Sequence, residues 1–188
     1  MADVLLTNIE NIKTTTNISD NTNSKVLQVA CKEAQDIDLQ EIIGTTLLEK
    51  LKELVKTGTV TAPGNEVYNE LMDLVQIYLS WCVVSKVCIP LTYKIDNIGV
   101  VQTTDENITT LAMDDVYNIN EYYKKRADFY GKRIQMFALE HRSELGICDC
   151  DCYKISSHLN SAASTGLWLG GARGYGYFEN DYHKYYDR

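Results

Sequence analysis

Residues 65–90 read NEVYNELMDLVQIYLSWCVVSKVCIP, and this stretch decides the fold of the chain. Apolar side chains recur in it every three or four residues, which is the period of one face of an α-helix. The positions that follow this period are Tyr68, Leu71, Leu74, Val75, Tyr78, Leu79, Cys82 and Val83. Beyond Tyr78 the segment is apolar on nearly all sides, a pattern typical of a helix surrounded by other helices. We therefore predict a central core helix that is capped at Asn65 and that ends or kinks at Pro90.

Two helical segments precede this central helix. The first follows Asn23, and the apolar face predicted for it consists of Val26, Val29, Ala30, Ala34 and Ile37. Asp38 with Glu41 three residues later has the spacing of a capping box, which predicts that a new short helix begins there and stops at Gly44. Residues 46–58 then have the period of an amphipathic helix that ends at a glycine.

A loop and one long helix follow Pro90. Residues 95–110 are rich in β-branched side chains, which suits a short β-hairpin or an extended loop. The last helix begins at Asp114 or Asp115, and its predicted apolar stripe consists of Val116, Ile119, Tyr123, Ala127, Tyr130, Ile134, Phe137, Ala138, His141 and Leu145. Its other face carries Lys124, Lys125 and Arg126. We interpret these basic residues either as a solvated helix face or as a patch that meets the acidic flank of a neighbouring subunit.

The predicted fold class is all-α, with a bundle of about four helices, a short β-hairpin or extended loop, and a long extended C-terminal arm. Residues 1–22 are predicted to form an N-terminal extended arm, residues 23–146 the helical domain with an inserted loop at 95–113, and residues 147–188 a Cys-rich turn and a Tyr/Gly-rich arm. We expect the C-terminal arm to gain order against a partner, because aromatic side chains in a glycine-rich segment cannot bury themselves alone. The arm residues predicted to form an interface are Trp168, Arg173, Tyr175, Tyr177, Phe178, Tyr182, Tyr185 and Tyr186.

Composition narrows the classes of function. The 188 residues carry 26 acidic and 18 basic side chains other than histidine, a net charge of -8. Tight nucleic-acid binding normally requires a basic face, so it is disfavoured, whereas transient contact with DNA remains open. Residues 1–10 lack the pattern of a secretory signal, and the apolar run 74–85 is shorter than the roughly 20 residues that span a bilayer. We expect a protein that stays inside the cell and has no membrane partner.

The cysteine-rich turn is the candidate for metal chemistry. Cys148, Cys150, Cys152 and His158 offer thiolate and imidazole groups, which are ligands that suit zinc. Alternating Cys-x-Cys-x-Cys differs from the Cys-x-x-Cys pairs of zinc knuckles, so we interpret the segment as a turn with reduced thiols and predict no cofactor. The sequence contains no Gly-x-Ser-x-Gly, His-Glu-x-x-His or Walker lysine motif, and we predict no enzymatic activity.

The order of the segments in residues 5 to 90 resembles the head-to-tail adaptor, or connector, proteins of tailed bacteriophages. The resemblance is strongest to the neck ring proteins of crAss-like phages. It is carried by Ala34-Gln35 at the end of the first helix, Ile42-Ile43-Gly44-Thr45-Thr46-Leu47-Leu48 with Leu51, Tyr68-Asn69-Glu70-Leu71-Met72, and Tyr78-Leu79-Ser80-Trp81.

The resemblance implies a structural virion protein that assembles in the host cytoplasm. Its partners would be further copies of itself in a closed ring, expected to be a dodecamer, together with the portal protein and further neck or tail proteins. Double-stranded DNA would pass through the ring without tight binding. The alternative is a small intracellular factor that binds metal or nucleic acid through the Cys cluster and the Arg/Gly/Tyr-containing arm.

Overall fold

The computed structural model describes residues 4–97, 99–102 and 112–147. Its elements are α1 (Ile9–Thr15), α2 (Ser24–Glu33), a π-helical segment (Ala34–Leu39), α3 (Gln40–Thr57), α4 (Glu66–Thr92), β1 (Tyr93–Asp96), β2 (Gly99–Gln102) and α5 (Met113–Glu140). The predicted bundle of α-helices with a short hairpin is confirmed. The two strands pair in antiparallel fashion, with Tyr93 opposite Gln102.

Helix α4 is the centre of the core, as the sequence predicts. Between Leu71 and Cys88, Asp73 is the single exposed residue. Helix α5 packs along α4, and α1, α2 and the π-helical segment contact it as well. By length and composition alone α4 could cross a membrane, but 56% of its most apolar window is buried inside the bundle. These contacts favour a core helix, because its apolar surface is already covered by protein.

The packing of α4 on α5 agrees in large part with the predicted core. Leu71, Tyr78 and Val83 are buried on α4, and Ile134 is fully buried on α5. Other predicted core residues are only half-buried at the edge of the cluster; these are Leu74, Tyr123, Tyr130 and Phe137. Helix α4 ends at Thr92, two residues past Pro90. A proline in the last turn removes one backbone donor, which disfavours a longer helix.

The predicted helix start at Asp38 is wrong. The chain runs from α2 through the π-helical segment into α3 without a break, and Asp38 instead forms an ion pair with Lys86 Nζ at 3.1 Å. The predicted apolar face of the first helix is confirmed at Ala30 and Ala34, which are buried, and is wrong at Val29 and Ile37, which are 61% and 57% exposed. The buried face is Leu27, Ala30, Cys31 and Ala34. The sequence fits two overlapping apolar faces. The face that packs on the core contains Leu27, whose side chain is larger than that of Val29.

The predicted extended arm at residues 1–22 contains a docked helix, which corrects that prediction. Helix α1 begins after Asn8, whose side chain accepts a hydrogen bond from the Asn11 amide, and its residue Ile12 is fully buried. The buried Gln35 side chain accepts from the Leu6 amide at 2.9 Å and donates to the Val4 carbonyl at 3.1 Å. The preceding chain is thus fixed because its backbone groups have partners inside the bundle.

Gly44 breaks helix α3 internally, at the position where the sequence predicts a helix stop. Its φ of 78° and ψ of 166° lie in a region that is essentially restricted to glycine. A Cβ atom built at Gly44 would meet no atom within 4 Å, so backbone conformation alone requires the glycine. The kink turns the chain between the π-helical segment and the longer part of α3.

We predict that Gly44→Ala lowers the free energy of unfolding by about 1–3 kcal/mol, since alanine would occupy a sparsely populated backbone region. Chemical denaturation followed by circular dichroism measures this loss. The control is Gly58→Asn, because Gly58 is left-handed with φ 67° and asparagine tolerates that region. Equal free energies of unfolding for the Gly44→Ala chain and the wild-type chain would contradict a requirement for glycine at the kink.

Candidate assembly surface

Helix α5 carries a seven-residue repeat that the core does not use. Residues 122–128 read YYKKRAD and residues 129–135 read FYGKRIQ, and Met136 begins the next repeat. Tyr122, Phe129 and Met136 therefore share one line along the helix. Lys125 with Lys132 and Arg126 with Arg133 flank this line on its two sides. We call these seven residues the α5 outer stripe.

The apolar members of the outer stripe are exposed to an unusual degree. Tyr122 is 52% exposed, Phe129 59% and Met136 55%. The side of α5 that faces the bundle instead holds Ala127, Ile134 and Ala138, which are all buried. Aromatic residues, methionine and arginine are the types enriched in protein interfaces, and a contiguous apolar line on a monomer commonly marks such an interface.

Both arginines of the outer stripe are positioned by aromatic rings. The Arg126 guanidinium lies 4.8 Å from the ring centroids of Trp81 and Tyr122, and it donates a hydrogen bond to the Tyr122 hydroxyl. The Arg133 guanidinium lies 5.8 Å from the ring centroid of Tyr130. Among the residues that the structure describes, no carboxylate lies within ion-pair distance of either guanidinium. The stripe therefore presents ordered positive charge to solvent.

The basic residues predicted from the sequence lie on this helix but have different surroundings. Lys125 and Arg126 belong to the outer stripe, whereas Lys124 lines a small cleft with Glu121 and Asp128. Sequence reasoning missed Tyr122, Phe129 and Met136, because it followed the core period alone. The repeat of YYKKR by FYGKR, seven residues apart, was the signal that could have found them.

A second surface feature is an open groove along α3 with a volume of about 1170 Å³. Its lining includes the carboxylates Asp36, Glu41, Glu49 and Glu53, against the single lysine Lys50. Apolar groups lie between them, among them the exposed Ile37. We call this feature the α3 groove. The surplus of carboxylates gives it a negative potential.

The ion pairs near the groove are mostly exposed and therefore weak. Lys52 Nζ lies 3.4 Å from Asp36 Oδ1 and 3.5 Å from Glu49 Oε1, and Lys50 Nζ lies 3.3 Å from Glu53 Oε2. Glu49 and Glu53 have 65% and 64% of their side chains exposed. Such pairs contribute roughly 0–1 kcal/mol, so these carboxylates can exchange partners at low cost.

The cleft between α4 and α5 is a structural ion-pair site. Lys86 Nζ lies 3.0 Å from Glu33 Oε1 and 3.1 Å from Asp38 Oδ2. Partial burial alone would lower the pKa of Lys86, but hydrogen bonds to the two carboxylates outweigh it and raise that pKa. Lys86 therefore stays charged and holds the π-helical segment on α4. In the same cleft, burial raises the pKa of the Tyr78 hydroxyl far above its usual range.

Two of the three cysteines of the helical bundle are buried thiols. Cys31 and Cys82 are buried and Cys88 is half-buried. Burial raises the pKa of Cys31 to about 11 and that of Cys82 to about 12. Among the described residues, no group of three or more His, Cys, Asp or Glu side chains is arranged to hold a metal ion.

We predict that alkylation of Cys31 and Cys82 at pH 8 is at least about 100-fold slower in the folded chain than in urea. A pKa raised by two or more units leaves little thiolate, which is the reactive form, and the rate should increase as pH rises toward 11. Site-resolved mass spectrometry after iodoacetamide treatment measures both rates. Equal rates at Cys31 in the folded and unfolded chain would contradict its burial.

The remaining predicted site residues lie outside the described residues. They are the metal candidates Cys148, Cys150, Cys152 and His158 and the arm residues Trp168, Arg173, Tyr175, Tyr177, Phe178, Tyr182, Tyr185 and Tyr186. Ile147, the last residue that the structure describes, is part of the lining of the α3 groove.

The fold and the surface together define a helical bundle with a central buried helix and an exposed aromatic and basic stripe. A family model described as "Family of unknown function (DUF6712)" matches residues 39–154, which is more than half of the chain. The chain therefore belongs to the DUF6712 family. The matched range includes the groove-lining part of α3, the core helix α4 and the whole outer stripe. Comparisons with curated proteins and with solved structures gave no match.

Proposed function

We propose that this chain is a non-catalytic ring subunit of the head-to-tail junction of a tailed bacteriophage, seated on the portal around the DNA channel. The observation that carries the proposal is the α5 outer stripe. Three large apolar side chains, each more than half exposed, lie opposite the core and are flanked by four cations. A stripe of this composition is suited to a permanent protein neighbour.

The resemblance of residues 5 to 90 to phage adaptor proteins supports the same proposal. Its motifs fall at structurally decisive points of the bundle: Gln35 anchors the N-terminal segment, Gly44 makes the kink in α3, and Leu71 is fully buried on α4. These residues preserve the shape of one subunit, and the stripe supplies a contact between subunits. Further copies of the chain, the portal protein and neck or tail proteins are the proposed partners.

The overall charge also supports a ring through which DNA passes without being bound tightly. A net charge of -8 opposes accumulation of phosphates on the subunit, so a ring of such subunits can let DNA move through its channel. The cationic residues of the stripe are few, and in the proposal they are covered by the neighbouring subunit.

Binding to a portal protein, the proposed partner, tests the assignment of this chain to the neck. The two purified proteins are mixed and the mass of the product is measured by size-exclusion chromatography with light scattering. We expect one complex that contains several copies of both proteins. Two separate peaks at micromolar concentrations would contradict a neck adaptor seated on the portal.

A further inference from the structure

We propose that the α5 outer stripe of one subunit docks into the α3 groove of the next copy, so that subunits join head to tail. This inference rests on the proposed ring function and names the two surfaces that build the ring. A contact between two different patches can repeat around a circle, whereas a contact of one patch with itself stops at a dimer.

The charges of the two surfaces are complementary. The stripe presents Lys125, Arg126, Lys132 and Arg133, and the groove presents four carboxylates against Lys50 in its lining and Lys52 beside it, a surplus of two negative charges. Both surfaces also carry exposed apolar groups, Phe129 at the middle of the stripe and Ile37 in the groove. Opposite charges that flank apolar contacts fix orientation and disfavour stripe-to-stripe pairing, because like charges would then face each other.

The dimensions of the two surfaces agree. From Tyr122 to Met136 the stripe is about 21 Å long at the helical rise of 1.5 Å per residue. The part of α3 that lines the groove, from Gln40 to Glu53, spans at most about 20 Å by the same measure. The kink at Gly44 lies within this range, so about 20 Å is an upper limit, and the stripe and the groove are of comparable length.

The two surfaces lie on different sides of the subunit, so one copy can use both at once. Gly131 of α5 faces α3, since a Cβ atom there would lie 3.0 Å from Ile42 Cδ1. Phe129 projects about 160° around the helix axis from Gly131. The stripe therefore points away from α3 and its groove, which is the arrangement that a head-to-tail contact requires.

The experiment uses two charge-reversed full-length variants, one for each surface. The stripe variant is Arg126→Glu with Arg133→Glu, and the groove variant is Glu49→Lys with Glu53→Lys. Each is examined alone, in an equimolar mixture and as the four-substitution chain, by light scattering, with circular dichroism as the check that the fold is intact. We expect each variant alone to be monomeric at 21.3 kDa.

The mixture is the decisive sample. The unaltered stripe of the groove variant can dock into the unaltered groove of the stripe variant, and the reversed stripe can dock into the reversed groove, so we expect the two variants to assemble together in alternation although neither assembles alone. The four-substitution chain should assemble again, because its charges are exchanged and still complementary. If one of the two variants folds poorly, recovered assembly of the four-substitution chain still tests the pairing of the two surfaces.

Four outcomes would overturn the proposal. If both variants still form rings like the wild-type chain, the ring function stands and this pairing is wrong. If the groove variant dimerises by itself, the stripe pairs with its own copy. If the wild-type chain is monomeric with and without the portal protein, the proposed function fails together with this inference. Binding of duplex DNA that the stripe variant alone loses, with assembly unchanged, would assign the stripe to nucleic acid.

Discussion

The Phe129→Glu chain is expected to be fully monomeric under conditions in which the wild-type chain assembles. Phe129 is the middle apolar residue of the outer stripe, and docking would bury the new carboxylate in an apolar contact without a partner. Truncating a central interface residue costs about 2 kcal/mol or more, which is roughly 30-fold in affinity for one contact. The loss recurs at every contact of a closed ring, so the effect on assembly is larger still.

The same substitution should leave the fold of the subunit intact. Phe129 is 59% exposed, and its ring lies edge-on to that of Tyr130 with a centroid separation of 5.4 Å. The matched control is Tyr117→Glu, which places the same charge on an exposed aromatic position of α5 about 120° away from the stripe. We expect the control to assemble normally. If the Phe129→Glu chain assembles with unchanged mass and affinity, the outer stripe is not part of the ring contact.

The largest loss of stability is expected from a substitution at the centre of α4. Leu79 is fully buried, and Leu79→Ala should lower the free energy of unfolding by about 2–5 kcal/mol through lost burial and the cavity that remains. The control is Leu91→Ala on the same helix, where the side chain is 38% exposed and a small loss is expected.

Assembly must be separated from folding in that measurement, because a partner that binds the folded state adds apparent stability. Both leucine substitutions are therefore made in the monomeric Phe129→Glu chain, and urea denaturation gives the free energies. A loss below about 1 kcal/mol for Leu79→Ala would contradict the central place of α4 in the core.

The central helix could be predicted from the sequence because it is apolar on nearly all sides. Such a pattern leaves few ways to fold, and Leu71, Tyr78, Val83 and Ile134 are buried as expected. The glycines were equally informative, since Gly44 and Gly58 both have positive φ and both interrupt or end a helix as predicted. Local backbone requirements of this kind do not depend on the rest of the fold.

The errors arose where tertiary contacts override local pattern. The segment around α1 contains few apolar residues, and its order comes from Gln35 and Gln76, which lie far along the chain. Asp38 has the spacing of a helix cap, yet Lys86 from α4 binds it and the helix continues. Contacts between residues 31 or more positions apart cannot be predicted from neighbouring residues alone.

The assembly surface was predicted in part. Lys125 and Arg126 were predicted from the sequence as part of a basic patch. The apolar line between the basic residues was missed, because the buried face of α5 has a stronger helical period. The α3 groove could not be predicted, because Asp36 and Glu49 come together through the kink at Gly44 and the packing that follows it.

Electron microscopy of the purified full-length chain, alone and with its portal protein, tests the central claim most directly. We expect closed rings of about twelve subunits in which α5 of each subunit lies against α3 of the next. Particles of one subunit in both samples, or assemblies in which α5 faces solvent along its outer stripe, would contradict it.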